Sequence, residues 1–480
     1  MKRNLILLMV ATVMACSTPN PTHGQTTWPA MEQGTVLTQT DVVTGLYRPW
    51  EILWGQDDYI WCTQRNGKVL HIDPLTGNYT TILDKSSVIP GDPTAGDSEP
   101  GMLGMCLHPQ FPDSNYVFIV YNYEAGNSIE ERLSCFQWDG TNLVNEQIFI
   151  DDIPGYWIHD GSRIILDATG KLMMTTGDTG DGGDSSQDMD ALNGKVLRIN
   201  LDGSIPADNP DPASYVWSFG HRNAQGLCLG PDGIIYSSEH GQSNSDEFNI
   251  IEPNRNYGWP TVQGACNTSS EQTYCDANDV KEPLMEWSPC VAVNGIEYYN
   301  HPAIPEWQNS ILMSVMGGLS GTGGNNDRVS VLHLSSDYLT IESENKYFST
   351  LNQRFRDVCI NPYTGAVYVA LNGTSYPGQG QNKIIEFRNM AYNAVQEPAI
   401  TVGQDISIYP NPAGDTVTLE ASTSIVGTTV QIYTFNGVLV KEVKVESQKQ
   451  SLDISTLATG NYWVLATNSI GSTTCEFFKP

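Results

Sequence analysis

The amino-acid sequence predicts an all-β protein: a six-bladed β-propeller followed by a small Ig-like β-sandwich at the carboxyl terminus. Three observations lead to this fold class. Short β-rich segments recur in six pairs between residues 57 and 389, turn residues separate them, and helical periodicity is almost absent. From residue 405 onward the pattern changes to closely spaced strands joined by Gly, Asn and Pro turns.

Residues 1–24 have the composition of a signal peptide. The basic start Met1-Lys2-Arg3 precedes the apolar run "NLILLMVATVMA", which is too short to anchor the chain in a bilayer. The run ends in "VMAC", similar to the lipobox of bacterial lipoproteins, so lipid attachment at Cys16 and cleavage near Gly24 stay open as alternatives. We expect a secreted or cell-surface protein whose mature chain has no transmembrane segment.

The main body, residues 28–390, contains the six pairs of predicted strands. A second internal signal is the similarity of "NGKVLHIDPLTG" at 66 to "NGKVLRINLDG" at 193. The pairs begin with "DDYIWCTQR", "NYVFIVYNY", "GKLMMTTGD", "DGIIYSSEHG", "NSILMSVMGG" and "GAVYVALNG". Because radial repetition leaves few exposed sheet edges, we predict a propeller; an open β-solenoid or two sandwiches is the alternative.

The carboxyl-terminal region, residues 405–480, follows a predicted linker at 391–404. Its strands "DISIYPNPAGDTVTLEA", "TTVQIYTFNGVLVKEVKV" and "QSLDISTLATGNYWVLATN" predict a β-sandwich. The landmarks "YPNPA", "NGVLV" and "LATGNY" resemble the type A sorting domain of proteins exported by the type IX secretion system of Bacteroidetes. That resemblance implies the type IX machinery as a partner; a carbohydrate-binding or adhesive sandwich is the alternative.

The charge balance limits the possible partners. With 24 Lys and Arg against 54 Asp and Glu, the formal net charge is −30. Nucleic acid and anionic membrane surfaces both require clustered cations, so neither is expected as a partner. An acidic excess is compatible with a soluble exported protein that binds calcium.

The ten cysteines predict one disulfide. Cys266 and Cys275 bracket the small polar loop "CNTSSEQTYC", which has no core of its own and which a bridge would hold together. The cysteines inside apolar strand segments are expected to act as small hydrophobic residues. These are Cys62, Cys106, Cys228 and Cys359.

Two loop clusters are candidates for chemistry: the first has the residue types of acid–base catalysis, and the second is either functional or a surface turn whose arginine pairs with a nearby carboxylate. His159 lies in "WIHDGSRIILD" just before a strand, and Asp178 ends the next strand. A neutral histidine oriented by a carboxylate is the commonest general base, although a lone histidine is more often structural. The second cluster is "SFGHRNAQGL", residues 218–227, which places Arg222 and Asn223 in a loop between strands of a cation-poor chain.

Two further clusters indicate ion and anion binding. In "SSEHGQSNSDEFN", Glu239, Asp246 and Glu247 surround Gly241 and Gln242, a composition compatible with calcium but also with a solvated acidic turn. In "NQRFRDV", strand alternation places Arg354 and Arg356 on one face. Two such cations require an anion, either an internal carboxylate or a polycarboxylate ligand.

These motifs together resemble the soluble quinoprotein glucose and aldose sugar dehydrogenases. The resemblance covers about residues 35–390 in unchanged order and rests on seven stretches. They are "RPWEILWGQDDYIWCTQRNGKVLHIDPLTG", "GMLGMCLHPQF", "HDGSRIILD", "NGKVLRINLDGSIPADNP", "GHRNAQGL", "NSDEFNIIEPNRNYGWPTVQG" and "QRFRDV". It implies a propeller that binds pyrroloquinoline quinone (PQQ) and Ca²⁺ and passes the electrons of an aldose to an acceptor that the sequence does not identify.

The resemblance also implies roles for individual residues. His159 matches the base that removes the proton of the anomeric hydroxyl, Asp178 the carboxylate that orients it, and Arg222 the cation beside the quinone oxygen. The expected cofactor-binding residues are Glu99, Asn223, Arg354 and Arg356. The expected calcium ligands are the carbonyl oxygens of Gly241 and Gln242, and Glu247 and Tyr257 at a further structural site.

The sequence departs from this family in one cofactor-binding cation. Met316-Gly317-Gly318 stands where the family commonly has lysine, and Arg328 is a candidate replacement. Glu99 falls where relatives have either glutamine or glutamate, and Gln242 where some have proline. Two other functions therefore stay open: a secreted non-catalytic propeller that has lost the cofactor, and a calcium-dependent lactonase.

Overall fold

The computed structural model describes residues 25–90, 99–317, 326–375, 380–392, 406–421, 426–434, 439–467 and 472–479. The chain divides into two compact units, Met1–Met390 and Ala391–Pro480. The predicted signal peptide with Cys16, and most of the predicted linker, lie outside the described residues.

Six β-sheets make up the first unit. In chain order its strands are β1 (Gln25–Thr27), β2 (Leu37–Leu46), β3 (Pro49–Trp54), β4 (Ile60–Gln64), β5 (Lys68–Ile72), β6 (Tyr79–Asp84), β7 (Met102–Leu107), β8 (Tyr116–Ala125), β9 (Ser128–Trp138), β10 (Leu143–Gly155), β11 (Gly161–Leu166), β12 (Leu172–Thr176), β13 (Lys195–Ile199), β14 (Val216–Phe219), β15 (Ala224–Leu229), β16 (Ile235–Glu239), β17 (Asp246–Ile251), β18 (Met285–Trp287), β19 (Val293–Tyr299), β20 (Ser310–Val315), β21 (Arg328–Leu334), β22 (Ile341–Tyr347), β23 (Phe355–Ile360), β24 (Val367–Asn372) and β25 (Asn382–Asn389). The helices are α1 (Asp184–Gln187) and α2 (Ser269–Asn278), with short 3₁₀ turns at Pro231–Gly233, Pro305–Trp307 and Ser349–Leu351.

The six sheets are the blades of a propeller, as predicted. Blades one to five contain four consecutive strands each, β3 to β6, β7 to β10, β11 to β14, β15 to β18 and β19 to β22. The first strands form a closed ring, since β3, β7, β11, β15, β19 and β23 each pack on the next and β23 packs on β3. Blade six joins β23 to β25 with β2 and β1, so both ends of this unit share one sheet. Strand β1 begins before the expected boundary at residue 28.

The six predicted pairs of strands are the second and third strands of the six blades. Strand β4, from "DDYIWCTQR", is buried throughout, as are β12 and β20. Their side chains fill the space between neighbouring blades, where Trp61, for example, packs edge-on against Phe111 and Trp138. The repeated apolar pattern does not identify the first strand of each blade, because several first strands carry buried charged residues, such as Glu51, Arg163 and Asp357.

The cysteine predictions are confirmed. Cys266 and Cys275 form a disulfide, which joins the loop to α2, a helix whose first turn is capped by Thr268 and Glu271. Cys62, Cys106, Cys228 and Cys359 are buried free thiols. Within the described residues, no helix has the length and hydrophobicity needed to cross a bilayer.

The second unit is a β-sandwich, as predicted. Its strands are β26 (Ile406–Tyr409), β27 (Thr416–Ala421), β28 (Thr429–Thr434), β29 (Leu439–Lys444), β30 (Lys449–Asp453), β31 (Gly460–Thr467) and β32 (Ser472–Lys479). They form two sheets, β26-β27-β30 and β29-β28-β31-β32. Alternate residues of both sheets, including Leu419, Ile432 and Val464, are buried in one hydrophobic core.

Candidate functional site

A cavity of about 490 Å³ lies where the first strands of the blades begin, and residues from all six blades line it. Its volume is in the range of about 300–1,000 Å³ that is usual for small-molecule sites. Eight of the predicted site residues line it: Glu99, His159, Arg222, Asn223, Gly241, Gln242, Arg354 and Arg356. Glu247 and Tyr257 line a separate cavity of about 10 Å³.

A repeated main-chain hydrogen bond positions the cavity-lining residues. In five blades, an N–H near the end of the second strand donates to the carbonyl of the residue just before the first strand. The pairs are Arg65 to Arg48, Asn122 to Gly101, His240 to Asn223, Met316 to Ala292 and Asn372 to Arg354, at 2.8–3.3 Å. Side chains at these positions therefore occupy equivalent places around the ring.

Blade three provides the histidine–carboxylate pair. His159 Nδ1 lies 2.7 Å from Asp178 Oδ1, and Arg222 Nη2 lies 3.0 Å from His159 Nε2. Because a guanidinium can only donate, Nε2 must accept, so the ring hydrogen is on Nδ1 and is donated to Asp178. Burial acts to raise the pKa of Asp178, but hydrogen bonds from His159 and Gly180 and the charge of Arg222 hold it below its ordinary value.

The backbone at His159 is held in a left-handed conformation, with φ of 61°. Such a conformation is rare for a residue with a side chain and persists only where its surroundings impose it. Here the Glu99 carboxylate accepts the His159 N–H at 2.7 Å, and a Cβ at Gly177 would lie 1.7 Å from the His159 carbonyl oxygen. Only glycine at 177 allows this approach, which aims the imidazole at the cavity.

The loop of blade four that carries Arg222 and Asn223 is anchored by Glu239. One oxygen of that carboxylate accepts the main-chain N–H groups of Arg222 and Asn223, and the other lies 2.9 Å from His221 Nδ1. His221 is fully buried between Glu239 and Ser218. This Ser–His–Glu arrangement has no access to a substrate and therefore supports the loop.

Trp259, which the sequence did not single out, connects the two parts of this site. Its Nε1 donates to Asp178 Oδ2 at 2.8 Å, and its ring lies 5.3 Å from the guanidinium carbon of Arg222. A cation over an indole face is attracted by the ring quadrupole. One side chain therefore orients both the carboxylate behind His159 and the arginine in front of it.

Blade six places Arg354 and Arg356 on the same side of the cavity, as strand alternation predicts. Both guanidinium groups contact the sulfur of Met316, at 3.8 and 3.6 Å. Arg356 also donates to Asn294 Oδ1 at 2.8 Å and Gln225 Oε1 at 2.9 Å, so its hydrogen-bond partners are neutral. Burial, with the charges of Arg163 and Arg65, lowers the pKa of Arg356 to about 9.

A buried ion cluster lies next to these arginines at the centre of the ring. Arg163 of β11 forms ion pairs with Glu51 of β3 and Asp357 of β23. The ring of Trp50 lies between Arg163, at 4.3 Å, and Arg356, at 4.6 Å. The internal carboxylates Glu51 and Asp357 therefore form their ion pairs with Arg163.

The loop after β16 carries the predicted carbonyl ligands of calcium. Asp246 Oδ1 accepts the Gly241 N–H at 2.9 Å, and its Oδ2 accepts the N–H groups of Val291 and Ala292. Through these hydrogen bonds Asp246 stabilises the conformation of the loop. A Cβ at Gly241 would lie 2.0 Å from the Asn244 carbonyl oxygen, so the turn requires glycine.

Glu247 and Tyr257 line the smaller of the two cavities, which has an acidic lining. Burial, followed by the neighbouring Glu239 and Glu286 carboxylates, raises the pKa of Glu247 to about 8. The Tyr257 hydroxyl is already used, since it donates to the Ile250 carbonyl, so only its main-chain oxygen remains as a possible ligand. Among the described residues, no three His, Cys, Asp or Glu side chains are arranged to bind a metal.

The expectation that Arg328 replaces the family lysine is wrong. Its guanidinium forms an ion pair with Glu344 at 2.9 Å and donates to the Asn326 carbonyl, and it does not line the cavity. Met316 and Gly317 do line it, while Gly318 lies outside the described residues. Two other lining cations, Arg48 and Arg65, had not been predicted, although Arg65 ends the quoted segment "DDYIWCTQR".

Comparison with known proteins agrees with both units. The family described as glucose/sorbosone dehydrogenase matches residues 46–377, and the secretion system C-terminal sorting domain matches residues 407–479. Quinoprotein glucose dehydrogenase B of Acinetobacter calcoaceticus is 30% identical over 46% of this chain and 52% of its own. Aldose sugar dehydrogenase YliI of Escherichia coli is 26% identical over 69% of this chain and 88% of its own.

Solved structures show the same propeller. The PQQ-bound aldose sugar dehydrogenase of Streptomyces coelicolor has a TM-score of 0.60 and 26% identity, over 75% of this chain and 99% of its own. The apo-form of the soluble aldose sugar dehydrogenase of Escherichia coli has a TM-score of 0.63 and 23% identity, over 74% and 99%. The latter similarity concerns the fold alone.

Proposed function

The chain belongs to the glucose/sorbosone dehydrogenase family, and from this membership we propose that it oxidises an aldose sugar at the anomeric carbon to the lactone, using PQQ and calcium. One observation carries the proposal. A hydrogen-bonded His159–Asp178 pair lies beside five arginines that line the same cavity. The sorting domain at residues 407–479 supports export by the type IX machinery to the cell surface or beyond.

The cavity fits a polycarboxylate cofactor. Five of the 24 Lys and Arg residues of this acidic chain line it. Within the described part of the chain, the Nε atoms of Arg222 and Arg356 are buried without a hydrogen-bond partner, which is costly unless a ligand supplies an acceptor. PQQ is a planar tricarboxylate that would provide such acceptors.

Arg354 and Arg356 would hold carboxylates of PQQ, and Asn223 and Glu99 would contact it from blades four and two. Guanidinium groups suit this role because they donate two parallel hydrogen bonds to a carboxylate. When bound, the quinone supplies an acceptor for the hydride of the anomeric carbon. Gln225, which receives a hydrogen bond from Arg356 and donates one to Asn223, aligns the two sides.

His159 acts as the general base. Its Nε2 carries the lone pair that takes the proton of the anomeric hydroxyl, so Arg222 must release Nε2 when the sugar binds. The imidazolium formed has positive charge, which the ionised Asp178 stabilises through the Nδ1 hydrogen bond. The proton and the hydride leave the same hydroxymethine group, and the C–O single bond becomes the lactone carbonyl.

Arg222 is placed to stabilise the negative charge that develops during transfer. Its Nη1 is fixed by the His240 carbonyl at 3.1 Å, and Trp259 covers its face. A preorganised donor of this kind contributes about 3 kcal/mol, or about a hundredfold in rate. The position of this cation in a chain of net charge −30 thereby has a chemical reason.

Calcium would be bound at two places. The Gly241 and Gln242 carbonyl oxygens would provide ligands beside the cofactor, where the ion would polarise a carbonyl group. The buried Glu247 carboxylate with the Tyr257 main-chain oxygen would form the structural site.

Calcium should therefore give wild-type protein a higher melting temperature than an EGTA-treated sample has. The Glu247→Gln variant should lose most of that increase. Equal increases in the two proteins would contradict the structural site.

Reconstitution tests the proposed function. Purified apo-protein is loaded with PQQ and calcium, and dye reduction is measured with a panel of aldoses and, separately, hydrolysis with a panel of lactones. We expect sugar-dependent dye reduction that requires PQQ. Binding without turnover would favour the non-catalytic propeller, and PQQ-independent hydrolysis would favour the lactonase.

A further inference from the structure

The Asp178 carboxylate, which lies behind His159, is held at both of its oxygen atoms. Oδ1 lies 2.7 Å from His159 Nδ1 and accepts the Gly180 N–H at 2.9 Å. Among the described residues, the donor to Oδ2 is the indole Nε1 of Trp259, at 2.8 Å. A carboxylate that is bonded at one oxygen only can still turn about its Cβ–Cγ bond. The indole N–H therefore fixes the plane of the carboxylate that faces the imidazole.

The ring of the same indole lies beside Arg222. Its centroid is 5.3 Å from the guanidinium carbon, a distance at which the ring quadrupole attracts a cation. The Arg222 Nη2 in turn lies 3.0 Å from His159 Nε2. Trp259 thus contacts both groups that are hydrogen-bonded to the imidazole. It is not among the described residues that line the cavity of about 490 Å³, so we expect it to affect the reaction through these two groups and not through the substrate.

The main chain of Trp259 is fixed by Gln187, the last residue of α1. Gln187 Nε2 donates to the Trp259 carbonyl at 2.6 Å and to Asn256 Oδ1 at 3.0 Å. Its Oε1 accepts from Asn256 Nδ2 at 2.9 Å and from the Tyr274 hydroxyl at 3.3 Å. All donor and acceptor positions of this carboxamide are therefore used. Gln187 joins the loop of blade three to the segment of blade four that carries the indole.

We propose that Trp259 is a positioning residue for the reaction: its indole N–H keeps Asp178 aligned with His159, and Gln187 keeps the indole in place. The inference rests on the proposed function, because it takes His159 as the base. Without the indole N–H, the buried Oδ2 of an ionised carboxylate loses a donor, and the carboxylate is free to turn away from the imidazole. The imidazolium formed by proton transfer is then less well stabilised. The rate of sugar oxidation should therefore fall while binding is kept.

The test measures single-turnover rate constants of protein loaded with PQQ and calcium, because a rate constant does not depend on the fraction of the protein that is active. Trp259→Phe keeps an aromatic ring beside Arg222 and removes the N–H. Its rate constant at saturating aldose should be about 10- to 100-fold lower than that of wild type, with the half-saturating sugar concentration and the PQQ dissociation constant unchanged. Gln187→Ala should lower the rate constant a few-fold. A Trp259→Phe rate constant within twofold of wild type would overturn the proposal.

Trp217→Phe is the matched control. The Trp217 ring lies 4.8 Å from the guanidinium carbon of Arg198, which is also buried. Within the described part of the chain, its Nε1 has no hydrogen-bond partner, and neither residue lines the cavity. The rate constant of Trp217→Phe should equal that of wild type. A loss as large as that of Trp259→Phe would assign the effect to packing and contradict the proposal.

A double-mutant cycle separates the alignment of Asp178 from a general structural role. In an Asp178→Ala background the acceptor of the indole N–H is gone, so adding Trp259→Phe should change the rate constant less than about twofold. An equal loss in both backgrounds would mean that Trp259 acts through another group, and the inference would be wrong.

A measurement on the apo-protein distinguishes failure of this inference from failure of the proposed function. The proton resonance of His159 Nδ1–H, identified by its absence in His159→Asn, should exchange with water faster in Trp259→Phe than in wild type and at the wild-type rate in Trp217→Phe. If wild type oxidises no aldose but the exchange rates differ in this way, the proposed function is wrong and the alignment by Trp259 stands. An exchange rate in Trp259→Phe equal to that of wild type would overturn the inference.

Discussion

The two sides of the cavity differ in how their charged groups are balanced. On the side of blades three and four, His159, Asp178 and Arg222 are joined to one another by hydrogen bonds, and Glu239 and Trp259 hold them from behind. On the side of blades six and one, Arg48, Arg65, Arg354 and Arg356 line the cavity, and the hydrogen-bond partners of Arg356 are amide oxygens and a thioether.

Under the proposed function, the two sides have different tasks. The histidine side has its tautomer, orientation and counter-charge in place, as the proposed general base requires. On the other side, Arg354 and Arg356 both contact the Met316 sulfur, and the proposed polyanionic cofactor would stabilise the folded protein by binding beside them. Catalysis and cofactor affinity should therefore respond to different substitutions.

The largest effect should follow from removing the base. We expect His159→Asn to lower kcat about 100- to 10,000-fold, with the PQQ dissociation constant unchanged. Asparagine tolerates the left-handed backbone of this position, where φ is 61°, so the fold should be kept. Steady-state kinetics and fluorescence titration check the two parts, and a variant that keeps a tenth of wild-type kcat would contradict the role.

The next effect tests the other side. Arg356→Met should raise the PQQ dissociation constant about 10- to 100-fold, while the melting temperature of the apo-protein stays the same or rises, because a repelled buried cation is removed. The matched control is Arg198→Met. Arg198 is also buried but is paired with Asp167 and Asp208, so its loss should lower the melting temperature without changing PQQ affinity. A lower melting temperature with unchanged affinity in Arg356→Met would assign Arg356 to structure.

The pH dependence of cofactor binding should distinguish the two sides further. Burial, with Arg163 and Arg65, lowers the pKa of Arg356 to about 9, while Glu99 and Asp357 act in the opposite direction. Below that pH the guanidinium is protonated before PQQ arrives; above it, binding must take up a proton. Affinity should be constant below pH 9 and fall up to about tenfold per pH unit above it, and Arg356→Met should show no such fall. Unchanged wild-type affinity up to about pH 10 would contradict this shift.

The smallest effect should come from restoring the family lysine. Met316→Lys brings a third cation to Arg354 and Arg356, which both contact the Met316 sulfur. We expect PQQ affinity to rise a few-fold, by about 1 kcal/mol or less, and the apo melting temperature to fall. A stabilised apo-protein would contradict this expectation and would mean that an anionic group of the protein lies close enough to balance the added lysine.

The sequence was sufficient for the propeller because the second and third strands of each blade are regular and apolar, like β4 and β12. His159, Asp178 and Arg222 were assigned by resemblance, and the structure brings them together. Arg48 and Arg65 could not be placed, because their proximity to Arg354 depends on ring closure between the first and last blades. Arg328 was only a candidate for the missing cation, and the sequence could not show its ion pair with Glu344, which forms across the β21–β22 pairing.

The most direct test of this account is a single-turnover experiment. Wild-type protein and His159→Asn, each loaded with PQQ and calcium under anaerobic conditions, are mixed with an accepted aldose, and the absorbance of the cofactor is followed. Both proteins should bind one PQQ per chain with similar affinity, and only wild type should reduce it rapidly. Equal rates of reduction in the two proteins, or no PQQ bound by wild type, would contradict the account.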